Sequence, residues 1–285
     1  MYMKLKDGKS KVLTFSYDDA TVEDIRLIEI FDKHGLKGTF NVNSGLYLPE
    51  DATREKYTGR MKLSEAKELY SHSGHEVAVH GYMHTFIDRI PLDEVIPEVL
   101  EDRKNLEAQY GVVVKGMAYP YGLFNEKIMD LVGKCGISYA RTTRNTENFS
   151  FPQDWLAFHP TCRHASPKLM ELAKKFVEEK GKHISENWLF CVWGHSREFG
   201  RDDNWDVMET FAEYVGGKDD IWYATNMEIY NYLEAFKQLE WSLDSSKVFN
   251  PTAYKIWFTF RDGRRRFSTG ECADFVINPG ETLTF

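Results

Sequence analysis

The stretch that decides the fold of this chain is Lys11-Val12-Leu13-Thr14-Phe15-Ser16-Tyr17-Asp18-Asp19, in which β-forming residues lead directly into two adjacent aspartates. A second short strand is predicted at residues 75–80, after the turn-forming pair Ser73-Gly74. That strand leads into His80-Gly81-Tyr82-Met83-His84. Both predicted strands therefore end at residues of types that can bind a metal or transfer a proton.

The two strand ends together offer a pair of carboxylates and two histidines spaced four residues apart. Histidines at that spacing lie side by side where the chain turns helically. Two imidazoles and one carboxylate suit zinc, with cobalt, nickel or iron as alternatives, and the second carboxylate is then available as a base. We therefore predict one divalent metal, zinc by preference. The alternative is a turn capped by aspartates beside a solvated histidine loop.

Strand-like and helix-like segments alternate through most of the sequence. Strands are predicted at residues 11–17, 38–43, 75–80, 112–119, 137–140, 156–159, 187–193 and 221–224, and helices at 22–34, 64–71, 92–110, 125–135, 166–179, 205–214 and 226–239. Seven or eight such repeats predict parallel strands with crossover helices, closed into a barrel whose functional groups lie at the carboxyl ends of the strands. The chemically apt residues at those ends are Asp18, Asp19, His80, Tyr121 and His195.

The pattern changes near residue 245. Alternating residues at 255–260 predict an antiparallel strand, and Asp262-Gly263 and Asn278-Pro279-Gly280 are turn signals. We predict a barrel of residues 1–244 and a small antiparallel β appendage of residues 245–285, with Arg264-Arg265-Arg266 on a solvated hairpin arm. The aromatic residues of the appendage are expected to pack on the barrel or at a subunit contact.

Composition narrows the possible functions. The net charge of −8 argues against a nucleic-acid partner. The four cysteines are scattered, without a Cys-x-x-Cys pair, and are expected to be free thiols. The first residues lack the apolar run of a signal peptide, and no stretch has the length of a membrane span. We therefore expect a soluble, cytoplasmic protein without a membrane partner; the sequence indicates no oligomeric state.

Four ordered motifs resemble those of the NodB-homology polysaccharide deacetylases, carbohydrate esterase family 4, over residues 11–240. The residues 14–20, Thr-Phe-Ser-Tyr-Asp-Asp-Ala, look like the family's Thr-Phe-Asp-Asp-Gly motif. Residues 74–84 are similar to its Gly-His-Glu stretch that ends in His-Ser/Thr-x-x-His. Residues 118–122, Ala-Tyr-Pro-Tyr-Gly, look like its Arg-x-Pro-Tyr-Gly motif, and Trp193-Gly194-His195 resembles its last, Leu-x-His-like motif.

The resemblance implies a distorted (β/α)7-8 barrel of the NodB-homology type and a metal-dependent hydrolase acting on carbon–nitrogen bonds. Its substrate would be an acetylated carbohydrate carrying N-acetyl, or alternatively O-acetyl, groups. Matched motif by motif, the metal ligands would be Asp19, His80 and His84. His75, although it lies in a motif, is expected to be a structural residue at the start of a strand.

The resemblance also implies the catalytic roles. Asp18 would be the general base, His195 the general acid, and the backbone N–H of Tyr121 would help to hold the oxyanion. Together with a metal that polarises the carbonyl, these groups form a coherent amide-hydrolysing set.

Three departures from the family pattern stand out. Ala118 occupies the place of an arginine that orients the catalytic aspartate, and Arg141 or Arg163 is a candidate replacement. Gly81 replaces the usual Ser or Thr. The Asp-Trp of a further family motif is matched by Asp154-Trp155 in a segment that resembles a loop. These departures leave the substrate open.

Three other functions remain possible. A related barrel hydrolyses non-sugar amides, including ureide rings and formamides, although aromatic residues near the predicted rim favour a sugar. An iron oxygenase also uses two histidines and a carboxylate, but those enzymes are commonly double-sheet β folds, which the strand–helix alternation contradicts. The last alternative is a carbohydrate-binding protein without activity, against which the presence of a complete catalytic set argues.

Overall fold

One long buried strand lies at the centre of the main sheet. The computed structural model describes residues 1–53, 59–181, 183, 185–261 and 272–285. In those residues the strands are β1 (Tyr2–Met3), β2 (Lys11–Asp18), β3 (Gly38–Val42), β4 (Glu76–Val79), β5 (Gly116–Ala118), β6 (Tyr139–Arg141), β7 (Cys162–Arg163), β8 (Trp188–Gly194), β9 (Ile221–Tyr223), β10 (Glu240–Trp241), β11 (Lys247–Phe249), β12 (Ile256–Arg261), β13 (Cys272–Ile277) and β14 (Thr282–Thr284). All eight residues of β2 are buried.

The helices follow the strands on the outside of the sheet, as parallel strands require. They are α1 (Asp24–Lys33), α2 (Leu63–His72), α3 (Leu92–Tyr110), α4 (Glu126–Lys134), α5 (Leu169–Glu178), α6 (Arg197–Asp202), α7 (Trp205–Val215) and α8 (Asn226–Lys237). Among the described residues, no helix combines the length and the apolar character needed to cross a bilayer.

The main sheet contains eight parallel strands in the order β6-β5-β4-β3-β2-β8-β7, with β9 also paired to β2. The first half of β2 pairs with β9 and its second half with β3, while β8 runs along its other edge. Phe158 bridges to β6, and β7, which follows it along the chain, pairs with β8. The sheet is thereby curled, and the predicted distorted (β/α)7-8 barrel of the NodB-homology type is confirmed.

Aromatic packing fixes the central strand against its helices. Phe15 on β2 lies with its ring centroid 4.4 Å from that of Phe31 on α1 and 6.0 Å from that of Phe211 on α7. All three side chains are buried. Because a close-packed interior tolerates little displacement, the carboxyl end of β2 is held in a defined position relative to its neighbours.

The prediction of a strand at residues 156–159 is wrong. The chain forms a 3₁₀ turn at Trp155–Ala157 instead, and the side chain of Asp154 accepts a hydrogen bond from the backbone N–H of Leu156 at 2.8 Å. Aspartate favours such local turns, and the paired strand begins only at Cys162. The predicted strand at 112–119 is also shorter, since only Gly116–Ala118 pairs, and helix α6 was not predicted.

Two small antiparallel sheets accompany the barrel, in the strand orders β1-β12-β13 and β10-β11-β14. Each sheet also takes a strand from before residue 245, namely β1 and β10. The division into residues 1–244 and 245–285 therefore stays a prediction. The predicted turn at Asp262-Gly263 and the arm of Arg264-Arg265-Arg266 lie outside the described residues.

The antiparallel strands pack against helix α8. Phe258 is fully buried in a cluster that includes Trp222 of the barrel and Tyr232 of α8. The Tyr232 hydroxyl accepts a hydrogen bond from the backbone N–H of Trp257 at 3.1 Å and donates one to the carbonyl of Lys4 at 2.9 Å. The C-terminal strands thus cover an apolar surface of the barrel.

A buried carboxyl group makes stability depend on pH. Asp24, at the start of α1, is buried, and the Tyr70 hydroxyl donates a hydrogen bond to its Oδ2 at 2.5 Å. Burial raises the pKa of Asp24 to about 7, although hydrogen bonds from Ser196 and Tyr70 oppose the shift. A carboxyl whose pKa is higher in the folded than in the unfolded chain stabilises the fold at low pH, and this stabilisation is lost as pH rises through the folded pKa.

We therefore expect the metal-stripped protein to lose about 2–3 kcal/mol of unfolding free energy between pH 5 and pH 8 through Asp24. Asp24→Asn should remove this part of the pH dependence, as measured by denaturant unfolding at both pH values. Asp130→Asn, at an exposed helical pair with Lys134, is the matched control. An unchanged pH dependence in Asp24→Asn would contradict the prediction.

Candidate active site and metal centre

All six predicted site residues line one cavity of about 400 Å³ at the carboxyl ends of the barrel strands. They are Asp18, Asp19, His80, His84, Tyr121 and His195. The other lining residues are Tyr119, Thr143, Arg163, Trp193 and Arg197. The parallel register of β2 with its neighbours therefore brings together side chains that lie far apart in the sequence.

Asp19, His80 and His84 form a compact set of possible metal ligands, with one ligand atom of each within 4.8 Å of the others. Asp19 Oδ1 lies 3.9 Å from His80 Nε2 and 3.7 Å from His84 Nε2. His80 Nδ1 lies 2.9 Å from the carbonyl oxygen of Ala118. An Nδ1–H that donates to this carbonyl leaves the Nε2 lone pair directed into the cavity, as in protein metal sites.

The electrostatics suit metal binding by these three residues. Burial and, to a smaller extent, the nearby His80 lower the pKa of His84 to about 4. Burial likewise lowers the pKa of His80, despite Asp18 and Asp19. Both imidazoles are therefore neutral at pH 7, which is the form that ligates a metal. A carboxylate and two neutral imidazoles are a donor set that fits zinc.

The backbone around these residues adopts unusual conformations. Asp19, His84 and Tyr121 all have positive φ, at 85°, 53° and 57°. Gly81 has φ 77°, and a Cβ there would lie 3.0 Å from Pro120 Cγ. The glycine that replaces the usual Ser or Thr is therefore required by both the conformation and the close contact. Strained positions of this kind cluster at functional sites.

Helix α3 positions the histidine loop from behind. Asp102 accepts a hydrogen bond from the backbone N–H of His80 at 2.9 Å and another from Ser44 at 2.7 Å. Glu98, one turn earlier, accepts the N–H of Met83 at 2.9 Å. Sequence reasoning missed both acids. Their signal was two carboxylates spaced four residues apart on the buried side of an amphipathic helix, where an acidic residue requires a hydrogen-bonding partner.

Arg141 takes the place of the arginine missing at Ala118. Its Nη2 lies 2.5 and 2.6 Å from the two oxygens of Asp18, and its Nε donates to Ser16 Oγ at 3.0 Å. Ala118 and Arg141 are direct partners in the β5–β6 ladder, so the guanidinium enters from the neighbouring strand at the same level. Arg163, the other candidate, pairs with Glu198 instead.

The ion pair with Arg141 determines the charge state of Asp18. Burial alone would raise the pKa of Asp18, but Arg141 and His80 outweigh burial and hold it below its usual range. Asn41 also donates a hydrogen bond to Asp18 Oδ1 at 2.9 Å. Asp18 is therefore ionised at neutral pH, as a group that accepts a proton must be.

His195 is oriented by a glutamate that sequence reasoning also missed. Its Nδ1 lies 3.2 Å from Glu198 Oε1, and its Nε2 lies 3.9 Å from Asp18 Oδ2. Glu198 also contacts His164 Nε2 at 2.9 Å. Burial alone would raise the pKa of Glu198, but the hydrogen bonds with His164 and His195 hold it well below its usual range. Glu198 lies three residues after His195, and this spacing is the feature of the sequence that could have identified it.

Asp19 has two arginine partners. Arg60 donates to its backbone carbonyl at 2.9 Å and contacts Oδ1 at 3.2 Å, and Arg197 contacts Oδ2. Burial alone would raise the pKa of Asp19, but His80 and Arg197 hold it well below its usual range. By contrast, Asp154 and Trp155 do not line the cavity, so the tentative match to the Asp-Trp motif falls outside this site.

The placement of Arg141 predicts selective energetic coupling. Arg141→Met should lower the free energy of unfolding by about 3–5 kcal/mol, because it leaves a buried carboxylate unpaired. A double-mutant cycle with Asp18→Asn should give a coupling of about 1–3 kcal/mol, and the same cycle with Arg163→Met should give less than about 0.5 kcal/mol. Denaturant unfolding of metal-stripped protein measures both cycles. Equal coupling for the two arginines would disprove the assignment.

The fold of this chain has counterparts among solved structures, and part of its sequence matches a known family. Residues 5–140 match the family model described as polysaccharide deacetylase. A protein from Mycobacterium smegmatis assigned as a polysaccharide deacetylase is 18% identical, with a TM-score of 0.58; the match covers 83% of this chain and 95% of that one. A mutant of a carbohydrate esterase family 4 pseudoenzyme from Bacillus anthracis, with restored enzymatic activity, is 14% identical, with a TM-score of 0.50; the match covers 81% and 70%.

A deacetylase from Streptococcus pyogenes, in complex with acetate, is 20% identical, with a TM-score of 0.44. The match covers 50% of this chain and 61% of that one, so the chain spans less than two thirds of that relative. A search among curated proteins finds no match. The match to the family model contains three of the four motifs and five of the six predicted site residues. Residues 5–140, somewhat less than half of the chain, therefore resemble the polysaccharide deacetylase family, in agreement with the motifs of the sequence.

Proposed function

We propose that this protein is a metal-dependent deacetylase that hydrolyses N-acetyl groups, or alternatively O-acetyl groups, on a carbohydrate. The observation that carries the proposal is the placement of two proton-transfer groups, Asp18 and His195, on one cavity beside the set of Asp19, His80 and His84. The match of residues 5–140 to the family model supports a hydrolase of amide or ester bonds, and the metal dependence and the acyl group belong to the proposal.

The chain's own residues divide the reaction between them. Asp18, kept ionised by Arg141, accepts the proton of the attacking water. His195, held through Nδ1 by Glu198, delivers a proton from Nε2 to the departing amine. The backbone N–H of Tyr121 helps to hold the developing oxyanion. Asp18 then loses its proton to solvent and His195 regains one, so the two groups return to their initial states.

The metal would be held by Asp19, His80 and His84. When bound, a divalent ion polarises the acyl carbonyl and lowers the pKa of a coordinated water. Zinc suits the donor set best, and cobalt, nickel or iron are alternatives. Asp18 lies as close to His80 Nε2, at 3.9 Å, as Asp19 does. Asp19 Oδ1 also lies 3.7 Å from His84 Nε2 and forms the compact ligand set with both histidines, so the assignment of Asp19 as the ligand rests on its proximity to both.

Loss of a ligand should lower metal binding. We expect wild-type protein to bind one zinc ion, and His80→Ala and His84→Ala each to bind zinc at least about tenfold more weakly. Elemental analysis after dialysis and competition with a chelator measure the effect. His75→Ala is the matched control, because His75 Nδ1 accepts a hydrogen bond from Gly38 N–H away from the cavity. Unchanged zinc stoichiometry and affinity in both ligand variants would refute the site.

The function is tested by the release of acetate from acetylated glycans, with zinc-loaded and metal-stripped protein. Asp18→Asn should retain zinc but lose turnover about 10²-fold or more on every substrate, because the general base is removed.

His195→Ala should lose far more activity on an amide than on an activated ester, whose leaving group needs no proton. Equal losses on both substrates would contradict the role of His195.

The same assay separates the alternatives. A panel that also contains small amides, formamides and ureide rings identifies a hydrolase of non-sugar substrates. Release of no carboxylic acid from any substrate, with zinc bound and glycan binding retained, would indicate a carbohydrate-binding protein without activity. The relative from Bacillus anthracis, described as a pseudoenzyme, makes this last outcome worth measuring.

A further inference from the structure

Two partly exposed arginines line the cavity beside the predicted catalytic residues. Arg197 is the first residue of α6, and its side chain is 36% exposed. Arg163 on β7 is 37% exposed and lies with its guanidinium 5.5 Å from the centre of the Trp193 ring. A guanidinium carries five N–H donors. Within the described residues, the contact that Arg197 makes is to one oxygen of Asp19.

Protein groups engage more donors of the other two arginines of the site. Arg141 is fully buried and contacts Asp18, Ser16 and the carbonyl of Thr142. Arg60 binds the Asp19 carbonyl, Asp19 Oδ1 and Asn43 Oδ1. Neither of these two arginines lines the cavity, whereas Arg197 lines it and has one contact among the described residues.

A bound metal would make the cavity positive. Of the residues that line it, two arginines, Arg163 and Arg197, face two carboxylates, Asp18 and Asp19. These charges balance, so a divalent ion at Asp19, His80 and His84 would leave two positive charges in excess. The whole chain carries a net charge of −8. The positive field at the cavity is therefore local, and such a field attracts an anion.

We propose that Arg197, with Arg163 beside it, recognises an acidic group on the substrate. The substrate is then an acetylated acidic glycan, in which a carboxylate, such as that of a uronic acid, lies close to the acetylated position. A planar carboxylate matches the fork of a guanidinium in geometry as well as in charge. This inference rests on the proposed deacetylase function and narrows its substrate class.

Binding is measured by calorimetry with zinc-loaded protein that carries Asp18→Asn, so that the ligand is not consumed. The ligands are an acetylated oligosaccharide that contains a uronate and its carboxyl-reduced counterpart. We expect the uronate to bind at least about tenfold more tightly. Adding Arg197→Gln should bring the two dissociation constants within about threefold, and higher salt should reduce the preference.

Arg201→Gln is the matched control, because Arg201 lies on the same helix but pairs only with Asp202 at the surface among the described residues. It should leave the preference for the uronate intact. Zinc content is determined in every variant, since Arg197 contacts a predicted ligand. The ratio of kcat/KM for the two substrates, measured in the protein with Asp18 present, gives a second readout that does not depend on the folding of Asp18→Asn.

Equal affinity for the two ligands, or a preference that survives Arg197→Gln, would overturn the inference. Sodium acetate is included as a competitor. Acetate binding that depends on Arg197, together with equal affinity for the uronate and its reduced counterpart, would show that the arginine binds only the acetate product. That result would also overturn the inference. Efficient deacetylation of neutral glycans would refute the inference and leave the proposed function intact. A uronate preference without acetate release from any substrate would refute the function instead.

Discussion

The ion pair between Asp18 and Arg141 is the interaction on which the site depends. A carboxylate at the end of a fully buried strand would be protonated in an apolar interior, because desolvation disfavours its charged form. Arg141, itself fully buried, offsets this cost with contacts to both carboxylate oxygens. The two strands that carry the pair are not neighbours in the sheet, so the contact also spans the barrel interior and links its two sides.

The neighbouring aspartate is directed to a different set of partners. Successive residues of a strand point to opposite faces, but the chain leaves strand geometry at Asp19, where φ is 85°. Both carboxylates therefore reach one cavity, with Asp18 facing Arg141 and Asp19 facing Arg60 and Arg197. Two adjacent aspartates thereby acquire different environments, which would allow the proposed base and the proposed ligand to be the same residue type.

The sequence could predict the barrel and the gathering of the site residues because both follow from local patterns. Buried strands and amphipathic helices alternate visibly, and parallel strands must bring their carboxyl ends to one edge. The sequence could not predict that Arg141 replaces the arginine missing at Ala118. This replacement depends on the register of two strands and on the face of the sheet that each side chain occupies. From the sequence alone, Arg163 was an equally good candidate for this role.

Contacts between distant segments account for the other omissions. Asp102 supports His80 from a helix 22 residues away, and nothing in the helical pattern specifies which loop a buried acid will contact. Helix α6 has only six residues, too few for hydrophobic periodicity to show. The strand predicted at 156–159 failed for the opposite reason, since its apolar residues pack well in a 3₁₀ turn that Asp154 stabilises.

Two consecutive residues of the short helix α6 make different contacts beside the cavity. Glu198 faces inward, where it is buried and contacts His195, whereas Arg197, the residue before it, is partly exposed and faces the cavity. The ends of the barrel strands carry the groups proposed to transfer protons, and this short helix contributes the contact that orients His195 and one positive charge at the cavity. Because Arg197 is not part of the close-packed core, its replacement alters the charge that the cavity presents without opening a void in the barrel. The orientation of His195 and the proposed substrate selection therefore depend on two different side chains of α6, those of Glu198 and Arg197.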